Sequence, residues 1–145
     1  MTAPINTALV LCTGNSARSI IGEALINHLG QGRWRAASAG SHPTGQVNPF
    51  ALQALANAGI PPPVIARSKS WHEFAAPAAL PIDLVITVCD NAANETCPRF
   101  PGAARTVHLP FPDPAAVEGT DAQKLKAFAD VLSDMMQKLP AALNS

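Results

Sequence analysis

The stretch "TALVLC" (7–12) is short, apolar and bounded by polar residues, the pattern of a strand buried in a parallel sheet. From Ser19 to Leu29 the period changes. Ile20, Ile21, Ala24, Leu25, His28 and Leu29 recur at helical spacing, and "GQG" stops the helix. "RWRAASAG" (33–40) alternates weakly and ends on Gly40, predicting a second strand. In "NPFALQALANAGI", Asn48 is placed to cap a helix, Pro49 suits its first position and Gly59 ends it. "SKSWHEFAAPAAL" opens on capping serines and predicts a short helix. "IDLVITVC" (82–89) is the clearest buried strand, and "ARTVHLPF" (104–111) predicts a fourth. "DAQKLKAFADVLSDMMQKL" (121–139) predicts a long amphipathic helix with Leu125, Phe128, Ala129, Leu132 and Met136 on one face.

Strands alternating with helices specify an α/β fold: an open parallel four-stranded sheet with helices on both faces, one domain over residues 1–145. Ligands of such sheets sit beyond the C-terminal strand ends, near the point where the strand order reverses. Cys12 ends the first strand and Cys89 the third, so both thiols are expected on that edge.

Composition narrows the chemistry. Lysine plus arginine and aspartate plus glutamate number 10 each, and this balance argues against nucleic acid or an acidic membrane as partner. No apolar run approaches the ~18 residues of a membrane span. "MTAPINTALVLC" lacks a basic leader region and a cleavage site, so a cytoplasmic protein is expected. Three cysteines do not make a secreted disulfide framework. Nor do they suggest a metal. Cys12, Cys89 and Cys97 contain no C-x-x-C, and His28, His42, His72 and His108 show no ligand-like pairing. No cofactor is called for.

The candidate chemistry lies in "LVLCTGNSARSII" (9–21). A loop between a buried strand and a helix N-terminus presents successive backbone N–H groups to a concavity suited to an anion. Gly14 permits close backbone approach, and Arg18 offers a planar fork matched to a tetrahedral oxyanion. Cys12 would then point into a ring of donors. Such a setting brings a thiol from about 8.5 into the range of roughly 3.5–7.5, and Ser16 or Ser19 could donate a further hydrogen bond to the sulfur. The expected oxyanion-binding set is Thr13, Gly14, Asn15, Ser16, Ala17, Arg18 and Ser19, with the oxyanion held over a nucleophile.

Cys12-x5-Arg18 followed by Ser19, with "SAG" (38–40) and "DP" (113–114) behind it, resembles the low-molecular-weight protein tyrosine phosphatases and the arsenate reductases built on their fold. The resemblance covers nearly the whole chain. It implies Cys12 as nucleophile, Arg18 as anion clamp and Asp113 as acid, with Asn15 supporting the loop and Ser19 stabilising the thiolate. Glu23 and Ser38 match positions that in some relatives help order the loop around a bound cation, although Glu23 otherwise reads as an ordinary exposed helix residue. His108 reads as structural.

Between the two branches, the aromatics and the other cysteines decide. An aryl phosphate needs an apolar slot, typically walled by aromatics. This chain has no tyrosine, "SHPTGQVNP" after "SAG" offers no aromatic before Phe50, and "DPAAVEG" has none after "DP". Phe111 is the aromatic left available. "VCDNAANETCPRFPG" places Cys89 and Cys97, with seven residues between them, directly after the third strand, and "VNP" (47–49) and "DPA" (113–115) are further points of likeness to the three-cysteine arsenate reductases. That likeness implies a relay in which Cys12 attacks arsenate, Cys89 attacks Cys12 and Cys97 attacks Cys89. The implied partners are arsenate, with phosphate or sulfate as mimics, and a thiol reductant such as thioredoxin, or glutaredoxin with glutathione. If strands one and three are neighbours, their spacing of about 4.8 Å suits the approach of Cys89 to Cys12.

Overall fold

The computed structural model describes residues 5–30, 32–63, 67–74, 81–88 and 105–144. Strand β1 (Asn6–Cys12) leads through a five-residue loop into helix α1 (Arg18–Leu29), then β2 (Trp34–Gly40) and α2 (Pro49–Asn57). Strands β3 (Leu84–Thr87) and β4 (Arg105–His108) follow, and helix α3 (Asp121–Asn144) closes the order. The strands form one parallel sheet in the order β2-β1-β3-β4.

Alternation along β1 assigns the two faces. Ala8, Val10 and Cys12 join the larger core with Leu84, Ile86 and Val88 of the β3 region, beneath three helices that pack on one another. Leu9 and Leu11 face the other way, into a smaller cluster with Ala39, Trp71, Ile82 and Val85. The 3-10 turn Trp71–Phe74 lies on that second face. Ser70 starts this turn as a capping serine should, its Oγ accepting from the His72 N–H at 3.2 Å. Of the short helix expected over 68–80, this one turn falls within the described residues.

Two expectations for the last helix are corrected. The stop expected at Leu139 is not observed, and α3 continues through Pro140 to Asn144. Proline costs the helix one backbone bond, but Leu139, Ala142 and Leu143 are all buried, and their burial holds the last turns down. Ala129 is exposed rather than inward. The buried stripe runs through Phe128, Val131, Leu132, Met135 and Leu139, which is the i, i+3, i+4 spacing shifted by part of a turn. Asn48 caps α2 as expected, its side chain accepting the Phe50 N–H at 2.9 Å, and Gly59 adopts a left-handed φ of 73° beyond the helix.

The reversal of strand order falls between β1 and β3. Leu11 pairs with Thr87, and the Val88 N–H donates to the Leu11 carbonyl at 2.9 Å. The adjacency on which the approach of Cys89 to Cys12 depends is therefore present. Cys89 and Cys97 themselves lie outside the described residues.

Candidate active site

The loop between Cys12 and Arg18 is held from outside by two neighbouring segments. The carbonyls of Thr13, Gly14 and Ser16 accept the N–H groups of His42, Thr44 and Asn48 at 2.9, 3.1 and 2.9 Å. Ser68 Oγ donates to the Gly14 carbonyl at 2.9 Å. A trans peptide points its N–H opposite to its C=O. Carbonyls drawn outward therefore turn the Gly14, Asn15 and Ala17 N–H groups toward the inside of the loop, an arrangement able to receive an anion. Helix α1 adds to it, because Ala17 at its N-cap supplies no side-chain cap and the first-turn N–H dipoles stay directed at the loop.

Close approach is built into Gly40. A Cβ there would lie 2.4 Å from the Thr13 carbonyl oxygen, 2.8 Å from that of Cys12 and 3.0 Å from the Asn15 nitrogen. Those are backbone atoms, so any side chain at 40 must displace the loop. At Gly14 the constraint is milder: a Cβ would meet the Thr44 methyl at 3.2 Å.

Asn15 holds the turn from within. It is fully buried, with a φ of 46° in the left-handed region that asparagine tolerates better than most residues. Its Nδ2 donates to Ser19 Oγ at 2.8 Å and to Ser38 Oγ at 3.0 Å, and its Oδ1 accepts the Lys69 N–H at 2.8 Å. Ser38 Oγ donates in turn to Glu23 Oε1 at 2.5 Å, and Glu23 Oε1 lies 3.9 Å from Lys69 Nζ. Glu23 is therefore not the exposed helix residue expected, since its side chain is 12% exposed and that of Lys69 8%. Burial pushes the Glu23 carboxyl above its ordinary value, opposed by the Ser38 hydroxyl and by the Lys69 and Arg67 charges. Burial pushes the Lys69 ammonium down, opposed by Glu23. A bound cation does not fit these residues, because a lysine ammonium already stands against the carboxylate that would bind it.

Cys12 is 5% exposed at the end of β1, paired in register with Gly40. Arg18 leaves the first turn of α1 toward the segment after β4. Its Nη1 donates to the Phe111 carbonyl at 2.9 Å and its Nη2 lies 3.8 Å from Asp113 Oδ2. The other carboxylate oxygen of Asp113 accepts the Ala115 N–H at 2.9 Å and caps the 3-10 turn Pro114–Ala116. Asp113 thus serves both as turn starter and as the carboxylate facing Arg18. His108 lies on β4 with Nδ1 2.8 Å from Thr87 Oγ1 across the β3–β4 pair, in keeping with its structural reading.

The structure therefore brings Cys12, the loop, Arg18 and Asp113 to one edge. Three contributors escaped sequence reasoning. Ser68 and Lys69 sit in a polar stretch, "RSKS", with no periodicity to signal burial, and neither the strand end at Gly40 nor its place in "SAG" signals that its missing Cβ makes room for the loop backbone. Phe111 is buried at 4% exposure in the larger core and does not wall a slot. Among the described residues Phe128 and Trp71 are likewise buried, whereas Trp34, Phe50 and Phe74 are half-buried and packed against the two clusters.

A strand, a loop opening on Cys12 and closing on Arg18, and a carboxylate brought back from the end of the sheet thus meet at one edge. Residues 7–145 match the family described as low molecular weight phosphotyrosine protein phosphatase, and the chain belongs to it. Within that family it is 37% identical over 135 residues to an arsenate reductase of Bacillus licheniformis, covering 92% of this chain and 91% of the relative. The fold matches a low molecular weight protein tyrosine phosphatase from T. tengcongensis with a TM-score of 0.74 at 20% identity, over 96% of this chain and 98% of that one. It also matches a thioredoxin-dependent arsenate reductase of Corynebacterium glutamicum with a TM-score of 0.62 at 22% identity, over 98% of this chain and 65% of that one. Among the described residues no helix is long and apolar enough to cross a membrane.

Proposed function

We propose that this chain reduces arsenate to arsenite by passing two electrons through its three cysteines. Cys12 attacks arsenic and an arsenate oxygen leaves as water, giving a thiol–arsenic adduct gripped by the loop amides and the Arg18 fork. Cys89, as thiolate, attacks the Cys12 sulfur. The S–As bond breaks with its electron pair remaining on arsenic, arsenite departs, and a Cys12–Cys89 disulfide is left. Cys97 then attacks Cys89 and releases Cys12 as thiolate, leaving Cys89–Cys97 for an external dithiol to reduce. The proton for the leaving oxygen is assigned to Asp113, a role supported by its carboxylate facing Arg18.

The observation that carries this reading is the pairing of β3 beside β1, with Thr87 opposite Leu11, because the two strands that end in Cys12 and lead to Cys89 in sequence are neighbours. The burial of Phe111, whose carbonyl meets Arg18, supports a small oxyanion over an aryl phosphate. Thioredoxin is the first reductant to try, since one structural neighbour is described as thioredoxin-dependent; glutaredoxin with glutathione is the second. A reducing cytoplasm is the compartment in which such a relay can be regenerated.

The decisive experiment is thiol mapping by mass spectrometry after one turnover with arsenate and no reductant. A Cys89–Cys97 disulfide, absent with Cys12→Ser and absent when phosphate replaces arsenate, is the expected result. Three thiols left reduced, with turnover confined to aryl phosphates, would establish the phosphatase reading that the same loop and Asp113 also serve.

A further inference from the structure

The links around Asn15 form a closed ring. Asn15 Nδ2 donates to Ser38, Ser38 donates to Glu23, Glu23 faces the Lys69 ammonium, and the Lys69 main-chain N–H returns to Asn15 Oδ1. The Lys69 carbonyl also accepts the Gly40 N–H at 2.9 Å, so residue 69 touches the site from three directions. Each link has a physical reason to be sensitive to charge. Ser38 is fully buried and its hydroxyl has one proton; it gives that proton to Glu23, which leaves the oxygen to accept from Asn15. That polarity holds while Glu23 is a carboxylate. A buried carboxylate is held ionised by a nearby opposite charge, and Lys69 is the cation set against it. The Lys69 Nζ is fixed in turn by the Arg67 carbonyl at 3.2 Å. Arg67 itself is engaged at the surface by Glu73, with bonds of 2.9 and 2.6 Å.

We propose that Lys69 is a positioning residue for the anion loop: its ammonium, seated against Glu23, fixes through Ser38 the left-handed turn at Asn15, and so sets how tightly the loop binds an oxyanion and how readily Cys12 reacts. The chain thereby carries as a side chain the positive charge that a bound cation would otherwise supply. The idea rests on the loop being the oxyanion site but not on arsenate being turned over.

The test is a charge cycle in a Cys89→Ser, Cys97→Ser background, where Cys12 is the remaining thiol. Lys69→Met, Glu23→Gln and the double variant are compared for phosphate affinity by calorimetry and for the rate of Cys12 alkylation by iodoacetamide, with the thermal midpoint recorded for each. Lys69→Met and Glu23→Gln are each expected to weaken phosphate binding about tenfold and to change the alkylation rate, because each leaves one charge buried alone. The double variant, with neither charge, is expected to return to within about threefold of the parent. Additive losses of about a hundredfold in a folded double variant would overturn the proposal, as would parental affinity in folded Lys69→Met. Should a single variant fail to fold, the double variant decides alone by the same threefold criterion. A parent that binds no phosphate would instead condemn the anion-site reading itself, before any variant is compared.

Discussion

Two segments meet at Arg18, and they are built in opposite ways. The loop from Cys12 to Ser19 is over-determined: Asn15, Ser19 and Ser38 have no exposure, and carbonyls on three residues of the loop are tied to segments distant in sequence. The segment from Phe111 to Val117 is anchored through the buried Phe111 and Pro114, a local cap and one guanidinium, while the Asp113 side chain remains 44% exposed. An anion nest must be rigid because backbone dipoles stabilise charge only when already aimed. A proton donor needs only to reach, and a half-exposed Asp113 would suit that proposed role.

The comparison is most severely tested at Asn15. Asn15→Ala removes three buried hydrogen bonds and places alanine in a left-handed conformation. A loss of about 3 kcal/mol in stability is expected from unsatisfied partners and backbone strain together, read by urea unfolding. Asn15→Gly relieves the strain and recovers about 1 kcal/mol of it, which separates backbone from side chain.

Gly40→Ala comes next. Its Cβ meets loop backbone rather than a yielding side chain, so about 1–3 kcal/mol is expected to be lost together with phosphate affinity. Full phosphate affinity in Gly40→Ala would show that the loop is softer than described.

At Asp113 stability and activity should part. Asp113→Ala loses the turn cap and about 1 kcal/mol, whereas Asp113→Asn keeps the cap and changes stability little. Both lower turnover, by about 10²-fold or more where proton donation limits the rate. An Asp113→Asn protein with full arsenate turnover would show that the leaving oxygen needs no donor.

The smallest effects are in the pH profile of stability, where two carboxylates act with opposite sign. The Arg67 guanidinium bonded to Glu73 holds that carboxyl below its ordinary value, so the pair stabilises the fold at neutral pH and its contribution is lost as pH falls through the lowered value. An exposed pair of this kind contributes about 0–1 kcal/mol. Glu23 is raised by burial, so its contribution improves as pH falls through the raised value toward the ordinary one. Glu73→Gln should remove the first slope, at and below the ordinary carboxylate range, and Glu23→Gln the second, above it, in unfolding measured between about pH 2 and pH 7.

Residue order located the four strands and the three helices, because burial on both faces of a parallel strand and on one stripe of a helix leaves a periodic mark, and Asn48, Pro49 and Gly59 mark the ends of α2. It also located the loop, since a thiol, a glycine and an arginine between a strand and a helix form a local pattern. Where it erred, at Ala129 and at the end of α3, local rules met a packing requirement they could not contain: Leu139, Ala142 and Leu143 are buried, and the helix runs through Pro140 to bury them.

What the order of residues determined by itself was the strand, loop and helix running through Cys12 and Arg18 and the residue types they carry to one edge of the sheet. Only the tertiary structure decided that Asp113 returns to Arg18, that β3 lies beside β1, and that Glu23 and Lys69 are buried together behind Asn15. Those are contacts between residues far apart in the chain. Their energy depends on burial and distance, and neither has a signature in local composition.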